Sequence, residues 1–140
     1  KAAVERAIEI AKAKGAKRAM LLPVSAPFHC ALMQPAADAM AEALASIEVK
    51  KPVVPVVANV LAAPIDDPAE IKRRLVEQVT GTVRWRECVE AMAASGVTQF
   101  YEVGAGKVLT GLLKRIAAGA TGSAIGTPDD VEAFKAARRG

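Results

Sequence analysis

The chain has 140 residues, of which 52% are hydrophobic and 4% aromatic, and its formal net charge at pH 7 is +4. This length supports one ordinary hydrophobic core, so we expect one globular unit or a part of one. The apolar runs are too short to span a membrane, no secretion signal opens the chain, and the basic residues are dispersed without interleaved aromatics. We therefore expect a cytoplasmic protein that binds neither membrane nor nucleic acid.

The first 24 residues are predicted to form a helix and a strand. Over residues 2–14, apolar side chains recur at helical spacing with charges on the other faces, and Gly15 is typical of a helix end. Residues 19–24 form a short apolar run bounded by charge and proline, which predicts a buried strand. Because Lys1 already lies in the helical pattern without a cap, we expect the chain to begin within a domain.

Helices and strands alternate along the rest of the chain. Such alternation implies an α/β fold with a mainly parallel sheet covered on both faces. We predict helices over residues 32–47, 68–78, 85–94, 108–116 and 128–138, and strands over residues 53–59, 98–103 and 123–125.

His29 is the only histidine in the chain, and it directly follows Pro27 and Phe28. A lone histidine is most often an ordinary packed or surface residue, so its position is what singles it out. Proline disfavours helix at the residue before it, so the chain should turn at Ala26. His29 then lies at a strand-to-helix connection, where α/β proteins usually keep their chemistry.

A glycine-rich segment, residues 104–107, joins a predicted strand to a predicted helix. Backbone N–H groups at such a helix start attract anions. A P-loop would also need glycine and serine or threonine where Tyr101 and Val108 stand, and a Rossmann fingerprint would need glycine in place of Leu109. The segment is therefore either a tight turn alone or a turn that also lines a ligand pocket.

No side chain in the sequence qualifies as a nucleophile or as part of a metal site. Cys30 adjoins His29, but neighbouring residues at a helix start diverge in direction. Ser25 and Ser95 lack the G-x-S-x-G elbow that exposes a nucleophilic serine. The two cysteines, Cys30 and Cys88, lack metal-ligand spacing, so we expect two reduced thiols and no metal.

Four segments resemble, in order and spacing, the malonyl-CoA:acyl-carrier-protein transacylases. They are P-V-S-A-P-F-H-C-A-L-M at 23–33, V-A-N-V at 57–60, V-R-W at 83–85 and Y-E-V-G-A-G-K-V-L-T-G-L at 101–112. The resemblance covers essentially the whole chain.

The part of the family that the chain resembles is its C-terminal portion. The resemblance implies a partial α/β-hydrolase-like (acyltransferase) fold with a mainly parallel sheet. Residues 1–25 would be the end of a small ferredoxin-like subdomain, and residues 26–140 the C-terminal part of the large α/β-hydrolase-like subdomain.

The resemblance also implies a reaction. In the family, a serine in a G-H-S-x-G elbow takes the malonyl group from CoA and passes it to the phosphopantetheine thiol of acyl carrier protein. His29 matches the histidine that removes the serine proton. Gln78 matches the glutamine whose backbone carbonyl orients that histidine. Malonyl-CoA and acyl carrier protein are the implied partners, and no cofactor is needed beyond the CoA thioester itself.

The resemblance implies five substrate-binding residues, since they match positions near the family's active site. Phe28 stands where malonyl-selecting acyltransferases carry phenylalanine, whereas many methylmalonyl-selecting ones carry serine. Asn59 matches a residue near the active-site cleft, and so do Gly104 and Gly106 of the glycine-rich segment and Val108, the residue that follows it. Thr82 departs from the family, which more often has proline at this position. The turn after Gln78 is therefore expected to differ from the family's.

The serine elbow, the arginine that pairs with the malonyl carboxylate and the oxyanion-hole glutamine have no counterpart in the 140 residues. We therefore expect a fragment that is inactive by itself. Alternatives are a piece of a polyketide-synthase acyltransferase domain, a non-catalytic module whose Lys and Arg side chains dock an acidic carrier protein, and an α/β hydrolase.

Overall fold

The computed structural model describes residues 1–139, and all six predicted helices are present in it. A short 3₁₀ turn, Ala31–Met33, precedes the second helix. The helices are α1 (Ala2–Ala13), α2 (Gln34–Ala45), α3 (Pro68–Thr80), α4 (Trp85–Ala94), α5 (Val108–Ile116) and α6 (Pro128–Ala137), and the strands are β1 (Val56–Ala58), β2 (Ala63–Ile65), β3 (Gln99–Val103) and β4 (Thr121–Ile125).

The prediction of a buried strand over residues 19–24 is wrong. The segment has no regular secondary structure, and Leu22 and Val24 are 73% and 70% exposed. A strand is stable only where a neighbouring strand takes up its N–H and C=O groups. None of the strands in residues 1–139 pairs with this segment, so its apolar composition does not produce a strand.

The four strands form two separate pairs. β3 and β4 are parallel, with Gln99 opposite Thr121, and α5 is the crossover between them. β1 and β2 are antiparallel, because the chain turns back on itself through Ala62 in a left-handed conformation (φ 54°). The expected mainly parallel sheet is therefore seen only as the β3–β4 pair.

The strand predicted over residues 53–59 is shorter than expected, and β2 was not predicted. Only Val56–Ala58 is strand, because Pro52 and Pro55 have no N–H to donate. Pro64 stands in the middle of β2. Because proline has no N–H to donate, it is not typical of a strand interior, and the sequence pattern does not indicate this strand.

The helix starts are fixed by local chemistry that the sequence carries. At α3, the Asp67 carboxylate accepts a hydrogen bond from the Glu70 N–H at 2.7 Å, and proline occupies the first turn. At α6, Thr127 and Asp130 form a reciprocal capping box. α3 therefore has a defined start and carries Gln78 in its last turn.

The core of the described residues is small. Its buried apolar side chains are Ala37, Ala58, Cys88, Val89 and Leu113. Residues 1–139 expose 10390 Å², whereas a folded monomer of this size exposes roughly 6,900 Å². Much apolar surface is therefore left uncovered by the chain itself. No helix in the described part is both long and apolar enough to cross a membrane.

Candidate active site

His29 sits in a strained turn just before the 3₁₀ turn that leads into α2. Its φ is 57°, in the left-handed region that a non-glycine residue adopts only when its surroundings impose it. The turn is tightened on both sides: Phe28 N–H donates to the Ala26 carbonyl at 2.9 Å, and the Cys30 thiol donates to the Pro27 carbonyl at 3.0 Å. The imidazole is thereby presented at the surface of the described chain.

The imidazole of His29 contacts the backbone of α3. Its Nδ1 lies 3.0 Å from the Gln78 carbonyl oxygen, across 49 residues of sequence. The carbonyls in the last turn of a helix have no partner within the helix, so this oxygen is free to accept. A carbonyl can only accept, so Nδ1 carries the proton and the neutral ring presents Nε2 as a proton acceptor.

The side chain of Gln78 continues into the turn after α3. Its Nε2 donates to the Gly81 carbonyl at 3.3 Å, and its Oε1 is buried without a hydrogen-bond partner among residues 1–139. Gly81 is packed so closely that an added Cβ would lie 2.7 Å from Val60 Cγ2. The end of α3 is therefore held against the turn between β1 and β2.

Asn59 lies at the end of β1 and is half-buried. Its Oδ1 accepts a hydrogen bond from the Arg84 N–H at 2.7 Å, and the Arg84 guanidinium donates to the Leu61 carbonyl at 2.9 Å. The Cys88 thiol lies 3.9 Å from the same Asn59 oxygen, and its burial raises its pKa. That thiol is therefore an unreactive packing group.

The structure places Phe28 beside His29 with 56% of its surface exposed. The glycine-rich turn lies between β3 and α5, and no hydrogen bond between described residues joins it to His29. Its backbone needs glycine, because Gly104 and Gly106 have φ values of 137° and 99°.

The helix start that follows this turn is already occupied by a carboxylate of the chain. Glu102, at the end of β3, accepts hydrogen bonds from the N–H groups of Leu109 (3.1 Å) and Thr110 (2.7 Å) and from the Thr110 hydroxyl (2.7 Å). An incoming anion would have to displace it. The geometry therefore favours a tight turn over an anion site.

Replacing Glu102 with Gln should make stability less sensitive to acid. Hydrogen bonds from the Thr110 hydroxyl and N–H hold the pKa of Glu102 below its ordinary value. Its stabilising contribution is complete above the unfolded pKa of about 4.3 and is lost as the pH falls through the folded pKa. The difference in unfolding free energy between wild type and Glu102→Gln, measured by urea denaturation, should be largest near neutral pH and shrink in acid. A difference in unfolding free energy that does not depend on pH would contradict a stabilising role of the Glu102 carboxylate at the start of α5.

Sequence reasoning missed Arg84 and Glu102 as structural residues of this region. Arg84 is joined to Asn59 across 25 residues, a distance at which no periodicity operates. Glu102 did carry a signal, since an acidic residue before a glycine-rich strand-to-helix turn can cap the helix that follows. Within residues 1–139, no group of three or more His, Cys, Asp or Glu side chains could hold a metal ion.

The described elements match part of the fold of solved malonyltransferases. The acyl-carrier-protein-S-malonyltransferase from Bartonella henselae matches with a TM-score of 0.85 and 53% identity, over 96% of this chain and 43% of that one. A malonyl-transacylase solved in complex with a type II polyketide-synthase acyl-carrier protein matches with a TM-score of 0.82 and 46% identity, over 97% of this chain and 44% of that one.

Sequence comparison gives the same family. The malonyl CoA-acyl carrier protein transacylase of Salmonella typhimurium is 55% identical over 128 residues, and that of Bacillus subtilis is 44% identical over 129 residues. In sequence, the chain matches part of the malonyl CoA-acyl carrier protein transacylases. It spans about two-fifths of the length of these curated relatives: 91% of the chain covers 41% of the Salmonella protein. A search of protein-family models found no match.

Proposed function

We propose that these residues supply the histidine half of the active site of a malonyltransferase. The complete enzyme, in which they are joined to a portion that carries the serine, moves a malonyl group from CoA to the phosphopantetheine thiol of an acyl carrier protein, as fatty-acid synthesis requires. The observation that carries this proposal is the 3.0 Å contact between His29 Nδ1 and the Gln78 carbonyl, because it leaves Nε2 free to accept a proton.

The first half of the reaction forms an ester on the serine. His29 Nε2 takes the hydroxyl proton while the serine oxygen attacks the malonyl thioester carbonyl. The carbon–sulfur bond to CoA then breaks, and the imidazolium gives its proton to the departing thiolate. The Gln78 carbonyl serves in place of the carboxylate of a Ser-His-Asp triad by fixing the tautomer of the ring.

The second half reverses these roles. Nε2 takes the proton of the phosphopantetheine thiol, the thiolate attacks the malonyl ester, and the serine oxygen leaves with the proton returned by the imidazolium. One thioester is exchanged for another with no oxidation or reduction. The proposal therefore includes no cofactor beyond the CoA thioester.

The remaining assignments follow from the family. Phe28 would form a wall of the acyl pocket, since it is exposed beside His29 and its ring would crowd an α-methyl branch. Asn59, Gly104, Gly106 and Val108 would lie near the cleft. Residues 1–25 would end a ferredoxin-like subdomain, and residues 26–140 would belong to an α/β-hydrolase-like one; the irregular segment between α1 and α2 supports a boundary there.

A polyketide-synthase carrier protein is the second candidate for the acceptor. The observation that favours it is the structural neighbour solved with a type II polyketide-synthase acyl-carrier protein. The chemistry at His29 would be the same for either carrier, because both present a phosphopantetheine thiol.

A transfer assay with the complete enzyme tests the proposal. Malonyl-CoA and a phosphopantetheinylated carrier protein should yield malonyl-carrier protein, with a malonyl-serine ester detectable by mass spectrometry before the carrier is added. Carrier protein that lacks phosphopantetheine is the control, and methylmalonyl-CoA should be a poorer donor. Release of free malonate without transfer would point to a hydrolase, and carrier binding without acylation to a non-catalytic module; either result would refute the proposal.

A further inference from the structure

We propose that Asn59 is a positioning residue for the catalytic histidine. It ties down the turn after α3, residues 81–84, and thereby fixes the Gln78 carbonyl that holds His29 Nδ1. This inference rests on the proposed function and deepens it. It also refines the expectation that Asn59 binds substrate, because the oxygen of its carboxamide is already engaged within the chain.

Asn59 is joined to Arg84 by a hydrogen bond. A backbone N–H can only donate, so the 2.7 Å contact identifies the carboxamide oxygen as the acceptor. Arg84 is the N-cap residue of α4, and the capping position has no side-chain hydrogen bond of its own. Asn59 therefore anchors the start of α4 to the end of β1.

The two residues after Asn59 contact the same turn. The Leu61 carbonyl accepts from the Arg84 guanidinium at 2.9 Å, and Glu87 fixes the other side of that guanidinium. Val60 packs so closely on Gly81 that there is no room for a Cβ. Three consecutive residues, 59–61, thus contact both ends of the turn, and we call these residues the clamp.

The same turn is connected to His29 through Gln78. The Gly81 carbonyl accepts from Gln78 Nε2 at 3.3 Å, and the Gly81 N–H donates to the Glu77 carbonyl at 2.9 Å. Gly81, the first residue of the turn, is therefore hydrogen-bonded to both Glu77 and Gln78 of α3. Removing the Asn59 oxygen would leave the half-buried Arg84 N–H unpaired and loosen the turn, so the Gln78 carbonyl would lose its fixed position. Misplacement of a catalytic group by about 1 Å can cost on the order of 100-fold in rate.

The experiment compares Asn59→Ala and Asn59→Asp in the complete enzyme. Asn59→Ala should slow single-turnover serine acylation by roughly 10- to 100-fold, with the KM for malonyl-CoA unchanged, because Asn59 acts on the histidine and not on the substrate. Asn59→Asp keeps an oxygen acceptor in the same place and should retain most of the rate. In enzyme labelled with ¹⁵N at histidine, the His29 signal should change from one tautomer to a mixture in Asn59→Ala only.

Thr127→Ala is the matched control, since it removes the cap of α6 and lowers stability without changing the clamp, residues 59–61, or the turn at 81–84. It should leave both the acylation rate and the tautomer unchanged. Asn59→Ser, one atom too short to reach Arg84, replaces Asn59→Ala if that variant does not fold. A normal rate and tautomer in Asn59→Ala, or a raised KM alone, would overturn the inference. His29→Ala separates the two levels: if it acylates normally, the proposed function fails; if only Asn59→Ala is normal, the positioning role fails.

Discussion

Replacing His29 with alanine in the complete enzyme should slow formation of the malonyl-serine ester by orders of magnitude. A serine hydroxyl is a poor nucleophile until a base removes its proton, and general-base catalysis contributes roughly 10²- to 10⁴-fold. The loss should be larger if the serine and histidine act as a unit, as they do in hydrolytic triads. Single-turnover mixing with malonyl-CoA, followed by mass spectrometry of the enzyme, measures this step directly.

Cys30→Ala is the natural control for that experiment. Cys30 is the next residue in the chain, and among residues 1–139 its thiol bonds only to the Pro27 carbonyl, so its loss alters the turn without removing the proposed base. We expect Cys30→Ala to acylate at close to the wild-type rate. An unimpaired rate in His29→Ala would refute the assignment of the base, and an equal loss in both variants would show that the effect comes from disturbance of the turn.

The 140 residues expressed alone should neither form a malonyl ester nor transfer malonate to a carrier protein. They contain the proposed base, His29, but no G-x-S-x-G serine for it to activate. The described residues also leave far more surface exposed than a self-contained monomer of this size, including Leu22, Val24 and Leu32. We therefore also expect the isolated chain to bind hydrophobic dyes or to self-associate.

The measurement compares the isolated chain with the complete enzyme at equal concentration, using mass spectrometry for the acyl adduct and the malonyl-carrier product. Circular dichroism establishes how much helix the isolated chain retains. Malonyl transfer by the 140 residues, at any rate above that of His29→Ala in the complete enzyme, would contradict the prediction.

The helices were predictable because their signals are local. α3 shows its cap at Asp67, its proline in the first turn and its apolar stripe within one stretch of sequence. The strands were less predictable, because a strand forms only when a second strand, from another part of the sequence, pairs with it. Residues 19–24 have the composition of a strand but no neighbour to pair with, whereas β2 has a neighbour in β1 despite its proline.

The same distinction holds for the candidate site: its local features could be predicted from the sequence, and its tertiary contacts could not. The sequence indicated His29 by its position between Pro27 and a helix, but the residues alone gave no hint of its partner. The Gln78 carbonyl is 49 residues away, and only the family resemblance suggested it. The Asn59–Arg84 bond is likewise tertiary, so neither periodicity nor spacing could have revealed it.

The tautomer of His29 in the complete enzyme tests most directly whether His29 is the base. ¹⁵N chemical shifts of labelled histidine, assigned by the signal that disappears in His29→Ala, report which ring nitrogen carries the proton when the imidazole is neutral. Proton on Nδ1 and a bare Nε2 is the predicted result, because the Gln78 carbonyl can only accept. Proton on Nε2 would mean that the Gln78 carbonyl does not orient the ring, and would contradict the proposed role of His29 as the base.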